Sequence, residues 1–234
     1  MTESEDITRL RIEYKAREGR FSDKDFYSLF YKPYLFSIQN RMRDLLNLLK
    51  KNGIHSIRDL KILEVGCGNG GVLLEYLSLD AFPKHLFGID LLLNRLKEAH
   101  QKLPAAGISC TNGQFLPFPN NYFDMVLQYT AFSSVLVSTI KEQMACDMLR
   151  VLKPGGVIVW YDFWLNPTNP QTRGIRLREI RTLYPNCHME FQKITLAPPV
   201  ARFIVPFSWS FALFLEAFKI LNTHYLVLIR KATA

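Results

Sequence analysis

Between Ile62 and Gly71 the chain reads Ile-Leu-Glu-Val-Gly-Cys-Gly-Asn-Gly-Gly. A short apolar run carries an acid and then breaks into glycines, and helical spacing begins at Val72-Leu73-Leu74-Glu75-Tyr76-Leu77. A strand, a tight loop and a helix start in that order make a nucleotide-binding corner, because glycines turn sharply and let a ligand approach without meeting a Cβ. Asp90 lies 20 residues past Gly70, at the end of a second apolar run. An acid there can accept both hydroxyls of a ribose. The glycines fit two patterns. Gly66, Gly68 and Gly71 satisfy G-x-G-x-x-G, and Glu64 with Gly66, Gly68 and Gly70 satisfies E-x-G-x-G-x-G. Together these features predict an adenosine-containing ligand and leave its identity open.

The elements that must position this corner alternate. Lys61 to Val65, Leu86 to Ile89, Ile108 to Thr111, Phe123 to Gln128 and Val157 to Tyr161 read as strands. Gly71 to Leu79, Leu92 to Lys102 and Ser138 to Leu152 read as the helices between them, the last ended by a turn at Lys153-Pro154-Gly155-Gly156. Strands separated by helices predict a parallel sheet covered on both faces. Residues 1–20 are charged and read as irregular or a loose helix. From Asp25 to Lys51 an apolar stripe (Phe26, Leu29, Phe30, Leu35, Ile38, Met42, Leu45, Leu46, Leu49) predicts one or two helices broken at Pro33. After the fifth strand come a basic helix over Arg173 to Leu183, a strand over Cys187 to Leu196 and a hydrophobic insertion at 197–221. A last strand covers His224 to Ile229. Residues 1–55 are expected to form an N-terminal helical cap and 56–234 the binding domain.

The chain has 234 residues, 48% hydrophobic and 21% charged, which fits one folded α/β domain with additions. Its formal charge of +8 is spread along the chain and contains no long basic run. The cysteines Cys67, Cys110, Cys146 and Cys187 show neither CxxC nor zinc spacing, so buried free thiols are expected and no metal site. The polar, acidic start does not look like a signal peptide, and the expected location is the cytoplasm. The apolar run from Phe203 to Leu215 holds Pro206 and is shorter than the roughly 20 residues a spanning helix needs.

Later motifs decide between the two glycine patterns. Glu64 to Gly70, Gly88-Ile89-Asp90, Leu116-Pro117-Phe118 with Tyr122-Phe123-Asp124, and Leu149-Arg150-Val151-Leu152-Lys153-Pro154-Gly155-Gly156 follow one another in order. The stretch from Leu63 to Trp160 thus resembles the class I, Rossmann-like S-adenosylmethionine-dependent methyltransferases. The resemblance implies a three-layer αβα sandwich on a seven-stranded, mostly parallel sheet of order 3-2-1-4-5-7-6 with the last strand antiparallel. It implies S-adenosyl-L-methionine as cofactor. Gly66, Cys67, Gly68 and Gly70 would lie under its methionine part, and Glu64 would orient the loop or meet the ammonium group. Asp90 would bind the ribose, and Leu91 would pack on adenine. The family often has an Asp where this chain has Asn112, followed here by Gly113 and Gln114, and an Asn oxygen can accept the same hydrogen bond. Gln128 would line the floor near the sulfonium. Phe132-Ser133-Ser134-Val135, Trp160-Tyr161-Asp162-Phe163, Asn166 to Pro170, Thr195 to Pro199 and Thr223-His224-Tyr225 resemble a type 11-like small-molecule subgroup. Its members often serve polysaccharide or natural-product pathways.

Methyl transfer is an in-line displacement in which the cofactor carries the chemistry and the protein aims the nucleophile. A hydroxyl acceptor also benefits from a base, for which Asp162, Tyr161 and His224 are candidates. Tyr14, with Arg17, could close over the cofactor. The expected function is methylation of a small natural-product, glycan or lipid-like acceptor, most simply at oxygen. A nucleic-acid methyltransferase is less favoured, since neither aromatic-basic interleaving nor an Asn-Pro-Pro-Tyr motif occurs. A non-catalytic cofactor-binding scaffold is the third reading. Arg173, Arg176, Arg178 and Arg181 could meet an anionic group or form a solvated helix face. The aromatic residues of 201–218 could line a substrate pocket, lie on a membrane or join two copies, which leaves monomer or homodimer open. Asp90→Ala is expected to weaken S-adenosylmethionine binding by about 1–3 kcal/mol, the scale of a lost charged hydrogen-bond partner. Wild-type affinity in isothermal titration calorimetry would remove the ribose role.

Overall fold

The continuous apolar runs become central strands because a parallel strand is buried on both faces. In the computed structural model the described residues are 1–20, 27–166 and 169–232, with the backbone alone for 17–20. Asp25, Phe26, Pro167 and Thr168 therefore lie outside the described residues, as does the Arg17 side chain. The strands are β1 (Ile62–Val65), β2 (Leu86–Asp90), β3 (Gly107–Cys110), β4 (Phe123–Tyr129), β5 (Leu152–Phe163), β6 (His188–Leu196) and β7 (Asn222–Arg230). They form one seven-stranded sheet in the order 3-2-1-4-5-7-6. Strands β1 to β5 run parallel, and β7 is antiparallel to both neighbours, β5 and β6. The expected fold class is the observed one.

Helices α2 (Lys32–Lys51), α3 (Gly71–Ser78) and α4 (Leu93–Lys102) cover one face, where Leu45, Leu48, Leu49, Leu73, Tyr76 and Leu96 pack on the sheet. Helices α5 (Ser138–Val151) and α6 (Leu177–Leu183) cover the other, with Ile140, Met144, Met148, Ile180 and Leu183. Helices α7 (Pro198–Ile204) and α8 (Trp209–Ala217) fill the insertion between β6 and β7. Because β6 runs parallel to β5, the insertion leaves from the carboxyl end of the sheet, the end that carries the glycine loop.

Several expectations are corrected. Of the two readings of residues 1–20, irregular or a loose helix, the helical one holds, as α1 (Glu3–Arg20), with Asp6 and Leu10 buried. Pro33 does not break a helix; it sits in the first turn of α2, where a missing N–H costs nothing. Leu29 and Phe30, placed in the apolar stripe, precede α2 and are exposed. The segment Lys153 to Gly156 is part of β5 rather than a free turn. It forms a register shift between the pairs Phe123–Leu152 and Met125–Val157, and Gly155 and Gly156 bond Lys231 on the far side. The basic helix begins at Leu177, four residues later than expected, and Arg173 pairs with its Glu179. Of the four cysteines only Cys67 is buried.

Helix α1 is fastened by a cap supplied to another helix. Val137 precedes α5 and has no side-chain oxygen with which to cap it. The buried Asp6 carboxylate does so instead, accepting from Leu136 N at 2.9 Å and Val137 N at 3.1 Å while pairing with Arg9 at 2.7 Å. Asp6→Ala is expected to lower stability by about 1–2 kcal/mol. An unchanged midpoint in thermal unfolding would show that the cap is dispensable.

Candidate functional site

The glycine loop hangs from the ends of β1 and β2. Gly66 N and Cys67 N both donate to Ile89 O, at 2.8 and 2.9 Å. Gly68 N donates to Asp90 Oδ2 at 2.8 Å and Leu92 N to Asp90 Oδ1 at 2.9 Å. Gly66 and Gly70 adopt φ values of +81° and +80°, the left-handed region that favours glycine. A Cβ on Gly66 would stand 2.8 Å from that of Ala131, and one on Gly70 would stand 3.2 Å from that of Ala99. Gly71 has neither constraint, so Gly70 is the third glycine this loop requires.

Glu64 is 1% exposed, and its Oε2 has no hydrogen-bond partner among the described residues. Burial, then the nearby carboxylates of Glu75 and Asp90, hold its carboxyl well above the ordinary carboxylate range, against the pull of Arg41 and Arg95. A buried, partnerless carboxylate oxygen beside a glycine cradle is a site that fits an ammonium group. Burial likewise pushes the Cys67 thiol up, so it packs against Gly88 as a small apolar group and is no nucleophile.

On the adenine side of the resemblance, Asn112 Oδ1 accepts from Gln114 N at 3.2 Å. A Cβ on Gly113 would meet Met144 at 2.8 Å. Gln114 turns its amide toward Glu3 of α1 and Gln143 of α5. Leu91 is half-buried against the core. Tyr14 places its hydroxyl 3.1 Å from Ser134 Oγ and its ring 5.3 Å from the Arg95 guanidinium. Arg95 in turn lies against Gly68, where a Cβ would be 2.6 Å from its Nη2. One chain of contacts therefore joins α1, α4 and the glycine loop.

The pleat of β5 separates the three candidate bases. Asp162 faces α5, where Oδ2 accepts from Gln128 Nε2 at 3.1 Å and Ser133 N at 3.0 Å, and Oδ1 accepts from Phe163 N at 2.8 Å. Burial raises its carboxyl to about 6 against those hydrogen bonds. The Gln128 amide oxygen accepts from Ala131 N at 2.8 Å, so Gln128 braces the turn after β4. Tyr161 and His224 meet on the α2 face, their rings stacked at 4.6 Å and 4°. Tyr161 Oη lies 2.9 Å from Thr195 Oγ1, and His224 Nδ1 lies 3.1 Å from Thr223 Oγ1. Burial, then Arg41, pushes the imidazole down to about 3, so it is neutral at physiological pH.

A family model described as "Methyltransferase domain" matches residues 63–160. Over that stretch the chain is similar to the class I S-adenosylmethionine-dependent methyltransferases. The chain is similar to the ubiquinone/menaquinone biosynthesis C-methyltransferase UbiE of Stutzerimonas stutzeri, 30% identical over 54% of this chain and 55% of that protein. The chain thus spans about half the length of the curated relatives it matches. Two solved structures share the fold. A SAM-dependent methyltransferase from Archaeoglobus fulgidus matches with a TM-score of 0.57, 14% identity, and coverage of 85% of this chain and 99% of that one. The geranyl diphosphate C-methyltransferase from Streptomyces coelicolor matches with a TM-score of 0.58, 15% identity, and coverage of 82% and 77%.

Around the glycine loop and the carboxyl edge of the sheet stand two arginines that sequence reasoning missed. Arg95 looks like any solvated helix residue until the loop folds against it. Arg41 had a signal: it stands three residues after Ile38 and four before Leu45, on the apolar stripe of α2. Its guanidinium lies 5.3 Å from the Tyr129 ring centroid and 5.0 Å from that of Tyr161, and it bonds Glu75 at 2.5 Å. Burial opposes its charge, but Glu75 and the two rings hold it protonated.

Glu64 makes a prediction with opposite signs. A carboxyl whose pKa is raised above 4.5 in the folded state contributes stability that is full below 4.5 and is lost as pH rises from there through the raised value. Glu64→Gln is therefore expected to raise the melting temperature of the ligand-free protein at neutral pH and flatten its decline with pH. It is also expected to weaken S-adenosylhomocysteine binding at least about tenfold. A variant that is less stable and binds normally would contradict the ammonium role.

Proposed function

We propose that this protein transfers a methyl group from S-adenosylmethionine to a small, largely apolar acceptor at the carboxyl edge of β4, β5 and β7. The observation that carries this reading is the aromatic wall there. Tyr129 and Tyr161 lie 5.4 Å apart, and Phe163 lies 3.9 Å from His224, all beside the glycine loop's end of the sheet. Glu64, Gly66, Cys67, Gly68, Gly70 and Asp90 would hold the methionine and ribose parts. Leu91, Asn112, Gly113 and Gln114 would flank adenine, and Tyr14 would cover the loop. When bound, the cofactor supplies an electrophilic methyl group. The chain's own task is to aim the acceptor and exclude water. Asp162 and Gln128 act as positioning residues for the Phe132–Ser134 turn, and Tyr161 and His224 face the acceptor.

An oxygen acceptor is the expectation from the sequence, which does not itself name the acceptor atom. A carbon acceptor is the second reading, favoured by the relative named as a C-methyltransferase and by the weak basicity of His224. An acceptor that carries its own activation suits such a site. Labelled S-adenosylmethionine, incubated with the protein and fractionated apolar and polar metabolites, tests the proposal. Label is expected in an apolar product, whose NMR methyl shift assigns oxygen or carbon. Label entering tRNA or DNA, or no transfer despite measured cofactor binding, would replace this reading by the nucleic-acid or scaffold alternative.

A further inference from the structure

The insertion between β6 and β7 exposes what a water-facing hairpin ordinarily hides. Phe203, Phe207, Phe211, Phe214, Phe218 and Ile220 are 74, 84, 49, 56, 57 and 78% exposed. Helix α8 is apolar on its inner side as well, where Ala212 is buried and Trp209 packs on Phe36 of α2 at 5.1 Å. A helix apolar all round belongs in a core or in lipid. The hairpin is nonetheless rigidly built. Glu216 is 2% exposed and accepts from Asn40 Nδ2 at 2.6 Å and Thr195 N at 3.0 Å, and Ser208 caps α8 through Phe211 N at 3.2 Å. The exposed phenylalanines are therefore presented by a fixed scaffold.

Charge selects the occupant. The only acid between Ala197 and Leu221 is Glu216, which is buried in that network, whereas Arg202 is exposed and Lys219 half-exposed. A symmetric contact with a second copy would bring these cations together without exposed acids of the hairpin to pair them. An anionic lipid surface pairs them, and the whole chain carries +8. Helix α8 has nine residues, about 14 Å, far short of the roughly 30 Å hydrocarbon core, so it can only lie in the interface. No helix among the described residues is long and apolar enough to cross a membrane. We propose that the α7–α8 hairpin docks the protein on an anionic lipid bilayer, with the phenylalanines at the headgroup–acyl boundary and Arg202 and Lys219 among the headgroups. The hairpin leaves the sheet from the end that bears the glycine loop, so docking would turn the site toward the membrane.

Sedimentation with phosphatidylcholine vesicles, with and without phosphatidylglycerol, tests this on the full chain. The wild type is expected to sediment with the anionic vesicles and to be released by salt. The double variant Phe207→Ser/Phe214→Ser, both sites being solvent-exposed, is expected to partition at least about tenfold less, with unchanged circular dichroism. Arg202→Glu is expected to reduce binding to anionic vesicles selectively. The proposal is overturned if the wild type stays in the supernatant, if the double variant binds equally, or if both lipids bind alike. It is equally overturned by a wild-type dimer that the double variant converts to monomer. S-Adenosylhomocysteine binding, measured in parallel, keeps failure here separate from failure of the methyl-transfer reading.

Discussion

The last two residues of β2 hold the ligand corner in shape. Where the chain leaves β1, the N–H groups of Gly66, Cys67 and Gly68 lose their place in the sheet and need acceptors. Ile89 O takes the first two and Asp90 Oδ2 the third, while Asp90 Oδ1 takes Leu92 N. The parallel pairing of Val65 with Ile89 sets the height at which these acceptors stand. Two consecutive residues of one strand thereby fix a loop whose glycines would otherwise have wide conformational freedom. An ionised carboxylate has lone pairs left after two N–H bonds, so bracing the loop does not use up Asp90 for a ligand's hydroxyls.

A second constraint comes from buried polar groups on α2. Asn40 and Arg41 are adjacent but point to different acids, Asn40 to Glu216 in the insertion and Arg41 to Glu75 on α3. Each acid is thus matched by a donor from the same helix, and a slip of α2 by one residue would strand both. Removing one partner of such a pair is expensive, because the other is left buried and unsatisfied. The polar pairs set how α2 sits, and Leu45, Leu48 and Leu49 supply the burial that holds it there.

The parallel core was legible because its signals are local. Lys61 to Val65, Leu86 to Asp90 and Phe123 to Gln128 are apolar runs bounded by glycine, proline or asparagine, and each became a strand within a residue or two of the expected ends. The glycine loop and Asp90 were legible for the same reason. What escaped depends on long-range partners. Helix α1 read as irregular or only a loose helix because its sequence is charged, and its order comes from Asp6 capping a helix 130 residues away. Lys153 to Gly156 has turn composition, yet Lys231 at the far end of the chain pairs with it and draws it into β5. Arg95 gives no sign of its contact with Gly68, since nothing in a helical pattern says which loop will face it. Arg41 broke the apolar periodicity of α2, and that break was the readable trace of a half-buried ion pair.

The alternation of β5 limits what chemistry the edge can perform. Asp162 has the pKa nearer to that of a useful base, but it lies on the α5 face with three N–H donors on its oxygens. His224 lies on the α2 face, and the cation of Arg41 beside it makes its protonation costlier still. Adjacent residues of a strand point to opposite sides of the sheet, so Asp162 and the Tyr161–His224 stack cannot act on one atom. The α2 face gathers two buried tyrosines, one fixed cation and a neutral imidazole. Such a face positions an acceptor better than it deprotonates one. Placement alone is a large effect, since effective molarities of well-oriented reactants reach about 10⁵–10⁸ M. On the proposed reading, this arrangement favours acceptors that arrive already nucleophilic over unactivated hydroxyls that need a strong base beside them.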